Sequence, residues 1–476
     1  MLHLTRRTLA TLLLLLVLGP VPMLKASKTF FTPRSISLDD STFELALTNY
    51  DRYHGDNDDS WLNFYVKPFY QRSRKGCDLA RYFLPNNQRC VTLSEDGTGD
   101  LDSLFFNLIS PAGTFYNSTV CLSPRRTTYG AVFTFYANLD CLCDKLWLGI
   151  NFAAMGAKHD LHVCETGSVA PGTLSGFTDA CDAFNNPEWT AGRLACRSLK
   201  RSGVDDIQLK LGYDYCSNED SHGTIYLVTS IPTGKRPRSC YLFEPIVGSK
   251  HGSLGLGFNG DYTFNVCDDH NLTLMGDIKY RYVFRATERR SFDLINGDWS
   301  RYLPLVSSAT PVLLTPGINA FTLNAEVTPR STINLWTAVH YDYCNWNFEL
   351  GYNFWWRQAE KVCIKCPLAS DIGILDLAGI CSGTATSANA ATIAQSIINN
   401  IALSDGTFTD LTTSLLNQNS AAHPRALSNK IYASIGYNTE CYCHPILLGI
   451  NGSYEFGHRC AALSQGAVWG TVGISY

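Results

Sequence analysis

Lys279, Arg281 and Arg285 share one parity along a short stretch of chain, so in an extended conformation their charges project from the same side. Cations gathered in this way raise the local concentration of anions, which makes the triplet the best single candidate for an anion-attracting patch. Charges of both signs recur with the same alternation at Lys210, Asp214, Asp261, Glu349, Arg357, Glu440 and Glu455, with Asn259, His340 and Asn353 among them. Facing water, such a lining sets a transverse field that biases ion selectivity. Paired with one another, the same groups fill and rigidify an interior, and the sequence leaves both alternatives open.

The second chemistry is thiol chemistry, because the chain carries 18 cysteines. Cys141, Cys143, Cys216, Cys267, Cys344, Cys441 and Cys443 lie at or beside the short connections mapped below, and the other eleven lie in long ones. Both sets are odd, so either one cysteine on each side is left over or the map misplaces one, and an unpaired thiol can link neighbouring molecules. Cys441-x-Cys443-His444 and Cys363-x-x-Cys366 lack a second pair at matching spacing, so no metal site and no cofactor is assigned. There is no G-x-S-x-G elbow, no H-E-x-x-H and no phosphate-binding glycine loop, and the chain reads as a non-enzyme. His159 with His162, and His251 before Ser253, are the pairs worth inspecting for a hidden site.

These residues ride on runs that alternate with period two. Trp346, Phe348, Leu350, Tyr352, Phe354 and Trp356 oppose Asn347, Glu349, Gly351, Asn353 and Arg357, the pattern of a strand with one apolar face. The rhythm predicts twelve strands, near 60–71, 127–138, 144–155, 205–215, 222–231, 254–266, 272–286, 331–342, 345–357, 430–441, 446–458 and 466–476. Their connections alternate short and long, with only 459–465 brief among the long set. Short turns at one end and long loops at the other is the arrangement of a membrane barrel, whereas a Greek-key sandwich has no reason to segregate loop length. Tyr213, Tyr215, Tyr341, Tyr343, Trp346, Trp356, Tyr454 and Phe456 sit toward strand ends on the apolar face, as interfacial girdles do. The expected fold is therefore all-β: a closed antiparallel up-and-down transmembrane β-barrel of about twelve strands.

Arg6 and Arg7, an apolar run from Leu9 to Leu18 and the small Ala26 read as an export signal over 1–26. Residues 27–59 are expected to be periplasmic or lumenal, 60–476 to form the barrel, and 358–429 to be a long external loop. Within that loop, helical spacing over 391–401 predicts a short helix, either a constriction at the barrel mouth or a surface element. A net charge of −4 gives no electrostatic footprint for nucleic acid. Charged residues are sparse at 17% and aromatics plentiful at 12%, as expected where many side chains face lipid. Asn117, Asn271 and Asn451 open glycosylation-type triplets, read as coincidental.

From Ser221 to Arg290 a strand is followed by Ile231-Pro232-Thr233-Gly234, then Phe243-Glu244-Pro245-Ile246-Val247-Gly248, then a returning strand opening Gly255-Leu256-Gly257. This stretch resembles outer-membrane barrels described as transporter-like proteins of the phenol meta-cleavage pathway, and the porin-like barrels of some intracellular Gram-negative bacteria. The resemblance covers about a sixth of the chain and implies a bacterial outer-membrane location, lipid contact and small solutes as cargo. The terminal Tyr476 resembles the C-terminal aromatic that barrel-assembly machinery reads in such proteins. The expected function is a porin-like channel or transporter for small solutes, with or without disulfide-linked or non-covalent homo-oligomers. The alternatives are a disulfide-stabilised structural or adhesive surface barrel and a soluble secreted β-rich glycoprotein.

Overall fold

The computed structural model describes residues 27–54, 61–74, 76–95, 98–111, 113–167, 171–172, 176–218, 220–267, 270–295, 297–307, 314–369, 372–374, 411–442, 444–458 and 460–476. The export signal and the helix expected over 391–401 lie outside the described residues. Twelve strands form the barrel. They are β1 (Leu62–Arg74), β2 (Arg125–Asn138), β3 (Leu146–Asp160), β4 (Ile207–Asn218), β5 (Ser221–Ile231) and β6 (Ser253–Cys267), followed by β7 (His270–Val283), β8 (Arg330–Tyr343), β9 (Trp346–Arg357), β10 (Ala426–Cys441), β11 (His444–Gly457) and β12 (Ser464–Ser475). Each expected strand overlaps one of these, with ends shifted by a few residues.

Neighbours in sequence pair antiparallel around the ring, and the seam closes where β1 lies between β2 and β12. There Asn63 faces Ser475 and Phe64 faces Ile474. Past the last residue of β12, Tyr476 still joins the seam: Trp61 donates its backbone N–H to the Tyr476 carbonyl at 2.7 Å, and Tyr476 donates to Leu62 at 2.9 Å. A further short strand, Leu199–Val204, continues the line of β4 along the upper half of β3. Closure leaves no long strand edge in the ring, the condition a sheet must meet to sit in hydrocarbon.

The two faces of the wall are inverted relative to a soluble protein. Leu254, Leu256, Phe258, Ile278, Phe348 and Ile431 point outward, and Leu350 and Ile450 are 65% and 78% exposed. Gln208, Lys210, Thr224, Asn259, Asp277, His340, Asn353 and Ser434 point inward and are buried. Tyr213, Tyr215, Tyr343 and Trp346 ring the outside near the short turns, and Tyr280, Tyr282 and Phe456 near the long loops. Apolar atoms on this scale remain outside only where lipid, not water, touches them. That excludes the soluble-glycoprotein reading, and Asn451, 2% exposed inside the barrel, is no glycosylation acceptor in the folded chain.

Close packing inside the wall depends on glycines placed beneath large rings. A Cβ at Gly212 would overlap the Trp147 ring, and one at Gly257 would overlap Tyr226. Strand glycines normally weaken a sheet, so their presence here marks where a neighbouring side chain lies flat on the backbone.

The described parts of the long loops fold together into a cap with its own apolar core. Leu79, Val91, Tyr116, Phe184, Trp189, Phe243, Trp299, Tyr302, Ile318 and Val362, drawn from five different connections, are buried in one cluster. Small sheets brace it: Cys90–Ser94 pairs with Asn117–Cys121, and Thr322–Thr328 lies between Ala286–Ser291 and Lys361–Ile364. Both described disulfides, Cys90–Cys121 and Cys181–Cys196, are in this cap.

A buried charge cluster ties the cap to the N-terminal segment. His251 Nε2 lies 2.8 Å from Glu288, Arg290 bridges Glu288 at 2.7 Å and Glu360 at 3.2 Å, and Thr32 Oγ1 donates to Glu360 at 3.1 Å. Burial would push the Glu288 carboxyl up, but Arg290 and His251 outweigh it and hold it at about 2. Burial lowers the His251 imidazole while Glu288 raises it, and the balance is a rise. Glu288 therefore contributes stability that is present above the ordinary carboxylate range and lost as pH falls toward 2. His251 contributes stability that is present below about 6.5 and lost as pH rises through its raised value. Proteolysis of the cap in detergent should accordingly be slowest near pH 5–6 and accelerate on both sides. A protection profile flat from pH 3 to pH 9 would contradict this linkage.

Candidate functional site

Residues 27–54 enter the barrel. Ser27 donates its backbone N–H to Asp298 in the cap at 3.1 Å, and Phe31 packs against Tyr82 and Phe243 there, with centroids 5.3 and 6.0 Å away. From the cap the chain descends through the lumen to His54, 2.7 Å from Asp261 near the short-turn end. Three short helices carry it: α1 (Ile36–Asp39), α2 (Ser41–Leu45) and α3 (Thr48–His54). Ser35 starts α1 as an N-cap, accepting from the Leu38 N–H at 3.2 Å. Turns of helix satisfy backbone groups locally, which lets a chain fill a narrow interior without a sheet partner.

Charged groups of the wall meet opposite charges of this plug at three levels. Near the cap, Arg34 pairs with Glu455 at 2.8 Å, and Lys430 pairs with Asp40 and stands 3.7 Å from Glu455. At mid-height Glu44 accepts Lys210 at 2.6 Å and faces Lys279 at 3.6 Å, while Gln208 and Tyr136 donate to it at 3.0 and 3.1 Å. Lys67 donates to the Glu44 and Ala46 carbonyls at 3.0 and 3.1 Å, and Arg281 pairs with Asp39. Toward the turns, Glu349 accepts the Leu47 N–H at 3.1 Å and the Tyr432 hydroxyl at 2.6 Å, beside His340 at 3.1 Å. Arg52 sits over Trp147 and Tyr136 at 4.0 and 4.1 Å, and Tyr53 stacks on His222 at 3.5 Å.

Of the residues singled out from sequence, Lys210, Asp214, Asp261, Lys279, Arg281, Glu349, Arg357 and Glu455 point into the barrel, and most of them touch the plug. Asp214 instead accepts from the Trp147 indole at 2.9 Å and lies 3.2 Å from His222. Two residues are corrected. Arg285 is 73% exposed and meets Glu326 at 3.5 Å, because β7 ends at Val283 and the alternation no longer governs the side beyond it. Glu440 is exposed at the rim, opposite Pro445 in the turn that joins β10 to β11.

Pro232-Thr233-Gly234 ends β5 as expected but forms no tight turn to β6. Gly234 donates its N–H to Asp206 at 2.9 Å and packs its Cα against Gly248, whose φ of +75° suits glycine, while Thr233 donates to the Asp205 carbonyl at 2.8 Å. The motif fastens the β5–β6 loop to the upper wall. His251 has both ring nitrogens engaged, by Phe284 O at 2.8 Å and Glu288 at 2.8 Å, and Ser253 bonds Ser230 and Arg281 instead. His159 is buried against Phe243 at 4.2 Å, and His162 lies exposed beside Asp160 at 3.6 Å. The plug's own contacts, Arg34, Asp39, Asp40 and Glu44, were not singled out from sequence. The readable signal for them was charge complementarity, since Lys210, Lys279, Arg281 and Lys430 each meet an acid of the plug.

Fold and site together define a porin-like β-barrel of the outer-membrane type, closed at one end by a folded cap and filled by its own N-terminal segment. No protein-family profile and no curated protein sequence matches the chain. Among solved structures it is similar to an outer-membrane channel from Pseudomonas putida F1, at 9% identity and a TM-score of 0.37 over 88% of this chain and 96% of that one. It is also similar to the toluene transporter TodX of Pseudomonas putida, at 7% identity and a TM-score of 0.31 over 94% and 99%. A third similar structure is a FadL homologue of Pseudomonas aeruginosa, at 9% identity and a TM-score of 0.29 over 95% and 99%.

Proposed function

We propose that this chain is a porin-like transporter of a Gram-negative outer membrane, in which small solutes cross the polar lumen when the N-terminal segment moves, and that it is not an enzyme. The observation that carries this reading is the kind of contact that holds the plug. Glu44, Asp39, Asp40 and Arg34 meet the wall through ion pairs, beside an apolar contact in which Phe43 packs on Phe69 and Trp469 with centroids 5.3 and 4.8 Å away. Polar contacts can be exchanged for water, so the main cost of a shift is the apolar contact of Phe43 and Leu47 with the wall. Arg281, Lys279 and Lys210 would then bias passage toward anions. Tyr476 at the closing seam is the signal we assign to the assembly machinery. Proteoliposome swelling tests the reading: graded sugars should enter slowly and in order of size, above the rate of empty liposomes. Equal rates in both would remove it.

A second reading, a disulfide-linked surface anchor, is favoured by the short-turn rim. Cys141, Cys143, Cys344 and Cys441 are exposed there and Cys216 is half-buried, none of them in a described disulfide. Successive hairpins are two strands, or about 10 Å, apart. A disulfide needs Cα atoms roughly 4.4–6.8 Å apart, so for Cys344 and Cys441, on separate hairpins, a bond to another chain suits better than a bond around the rim. The disulfide donors of an oxidising compartment would accept the two electrons. Non-reducing electrophoresis of oxidised membranes should show a ladder of multimers that collapses with reductant and is lost when Cys141, Cys143, Cys344 and Cys441 are replaced by serine. Monomer alone in unreduced membranes would exclude the linkage.

A further inference from the structure

Between the plug, the upper wall and the cap lies a cavity of about 60 Å³. By a rule of about 10–15 Å³ for each water, that is space for a few waters or one small ion. Its lining carries Arg34, Arg281 and Arg290, each already matched to Glu455, Asp39 or Glu288. Two further guanidiniums on the same lining form no ion pair among the described residues, although Asp205 and Glu360 of that lining lie near Arg126 and Arg357 respectively. Arg126, at the upper end of β2, is 4% exposed, and among the described residues no carboxylate comes within ion-pair distance of it. Its Nε has no hydrogen-bond partner, and its backbone N–H donates to Ser73 Oγ at 2.8 Å. Arg357, at the upper end of β9 and also 4% exposed, has an unpartnered Nε and a single 3.4 Å contact to the Thr32 carbonyl.

A buried guanidinium whose donors go unpaired is costly, and chains rarely keep two beside one cavity unless something answers those donors. A carboxylate offers two oxygens in the plane that a guanidinium fork prefers, and it would satisfy the donors left over. Ile36, Leu38, Met155 and Val283 supply an apolar side to the same space. We infer that this cavity is a binding site for a small aliphatic carboxylate, held by Arg126 and Arg357 with its short hydrocarbon end against Ile36 and Met155.

The inference goes beyond the transport reading and does not depend on it, because the site is complete with the plug seated. Refolded full-length protein in detergent is titrated calorimetrically with sodium propionate and, separately, with sodium phosphate, in a chloride background. One propionate should bind saturably per chain, with phosphate weaker. Arg126→Met should weaken propionate at least tenfold while heat-modifiable migration shows the barrel intact, and Arg126→Lys should retain part of the affinity. Saturable phosphate binding with no propionate binding would replace the carboxylate by an inorganic oxyanion and overturn the ligand class. No saturable binding of either, or propionate binding unchanged in an Arg126→Met, Arg357→Met double variant, would overturn the site. Conductance or swelling can fail with binding intact, so the two proposals fall separately.

Discussion

Removing residues 27–54 should convert a closed barrel into one that conducts in discrete steps. The strands that close the ring begin at Leu62, and no ladder hydrogen bond of the twelve involves the plug, so the wall keeps all its pairings without it. What disappears is the polypeptide that occupies the lumen from Arg34 to His54, and water takes its place beside Lys67, Lys210, Lys279, Arg281 and Lys430. With these cations uncovered, the current should favour anions and its selectivity should weaken as salt screens the wall. Planar bilayers read the result directly. Full-length protein should be silent or open only rarely, while the deletion variant, first shown to be folded by heat-modifiable migration, should give frequent steps. Equal conductance of the two proteins would mean that the plug does not obstruct the path.

Replacing Glu44 by alanine should be the most damaging single substitution in the plug. The Glu44 carboxylate is the shared partner of Lys210, Lys279, Gln208 and Tyr136, and all of these are buried. Removing it leaves two cations inside the barrel without their acid, and breaking a buried pair in this way typically costs about 3–5 kcal/mol. Deleting an exposed carboxylate such as Glu188 should change stability by no more than about 0.5 kcal/mol. Urea titrations in lipid, followed by gel migration, compare the two. The Glu44→Ala protein should also open more often in bilayers, because the plug has lost its mid-height tether. A shift no larger than that of Glu188→Ala would show that Lys210 and Lys279 find other partners.

The barrel was legible in the sequence because its signal is local. Alternation of Phe348, Leu350 and Tyr352 with Glu349 and Asn353 needs no knowledge of the partner strand, and the segregation of short and long connections followed from the same map. The inward placement of Lys210, Lys279 and Glu455 followed as well, since a strand holds its parity for as long as it stays paired. Arg285 and Glu440 mark where that reasoning stops. Each lies past or at the end of a ladder, where the backbone turns and parity no longer assigns a face.

The plug and the cap were illegible for a different reason. Helices of four, five and seven residues in the plug are too short to show a period, and Glu44 is unremarkable until Lys210 and Lys279 are brought beside it by strands 166 and 235 residues away. The cap core draws Phe184, Phe243 and Trp299 from separate loops, each of which reads alone as an aromatic-bearing connection. Whether the inward charges faced water or one another could not be settled from the wall alone, because the answer sits in a segment outside it.

The claim on which the rest depends is that this segment lies within the ring of strands, and lysine reactivity tests it most directly. Full-length protein in detergent is treated briefly with a small, water-soluble acetylating reagent, and modification is read by mass spectrometry. Lys67, Lys210, Lys279 and Lys430 should stay unmodified while the exposed Lys145, Lys200 and Lys235 react, and all seven should react once residues 27–54 are removed. Reaction of Lys210 and Lys430 at the rate of Lys145 in the full-length protein would place water, not the N-terminal chain, in the lumen.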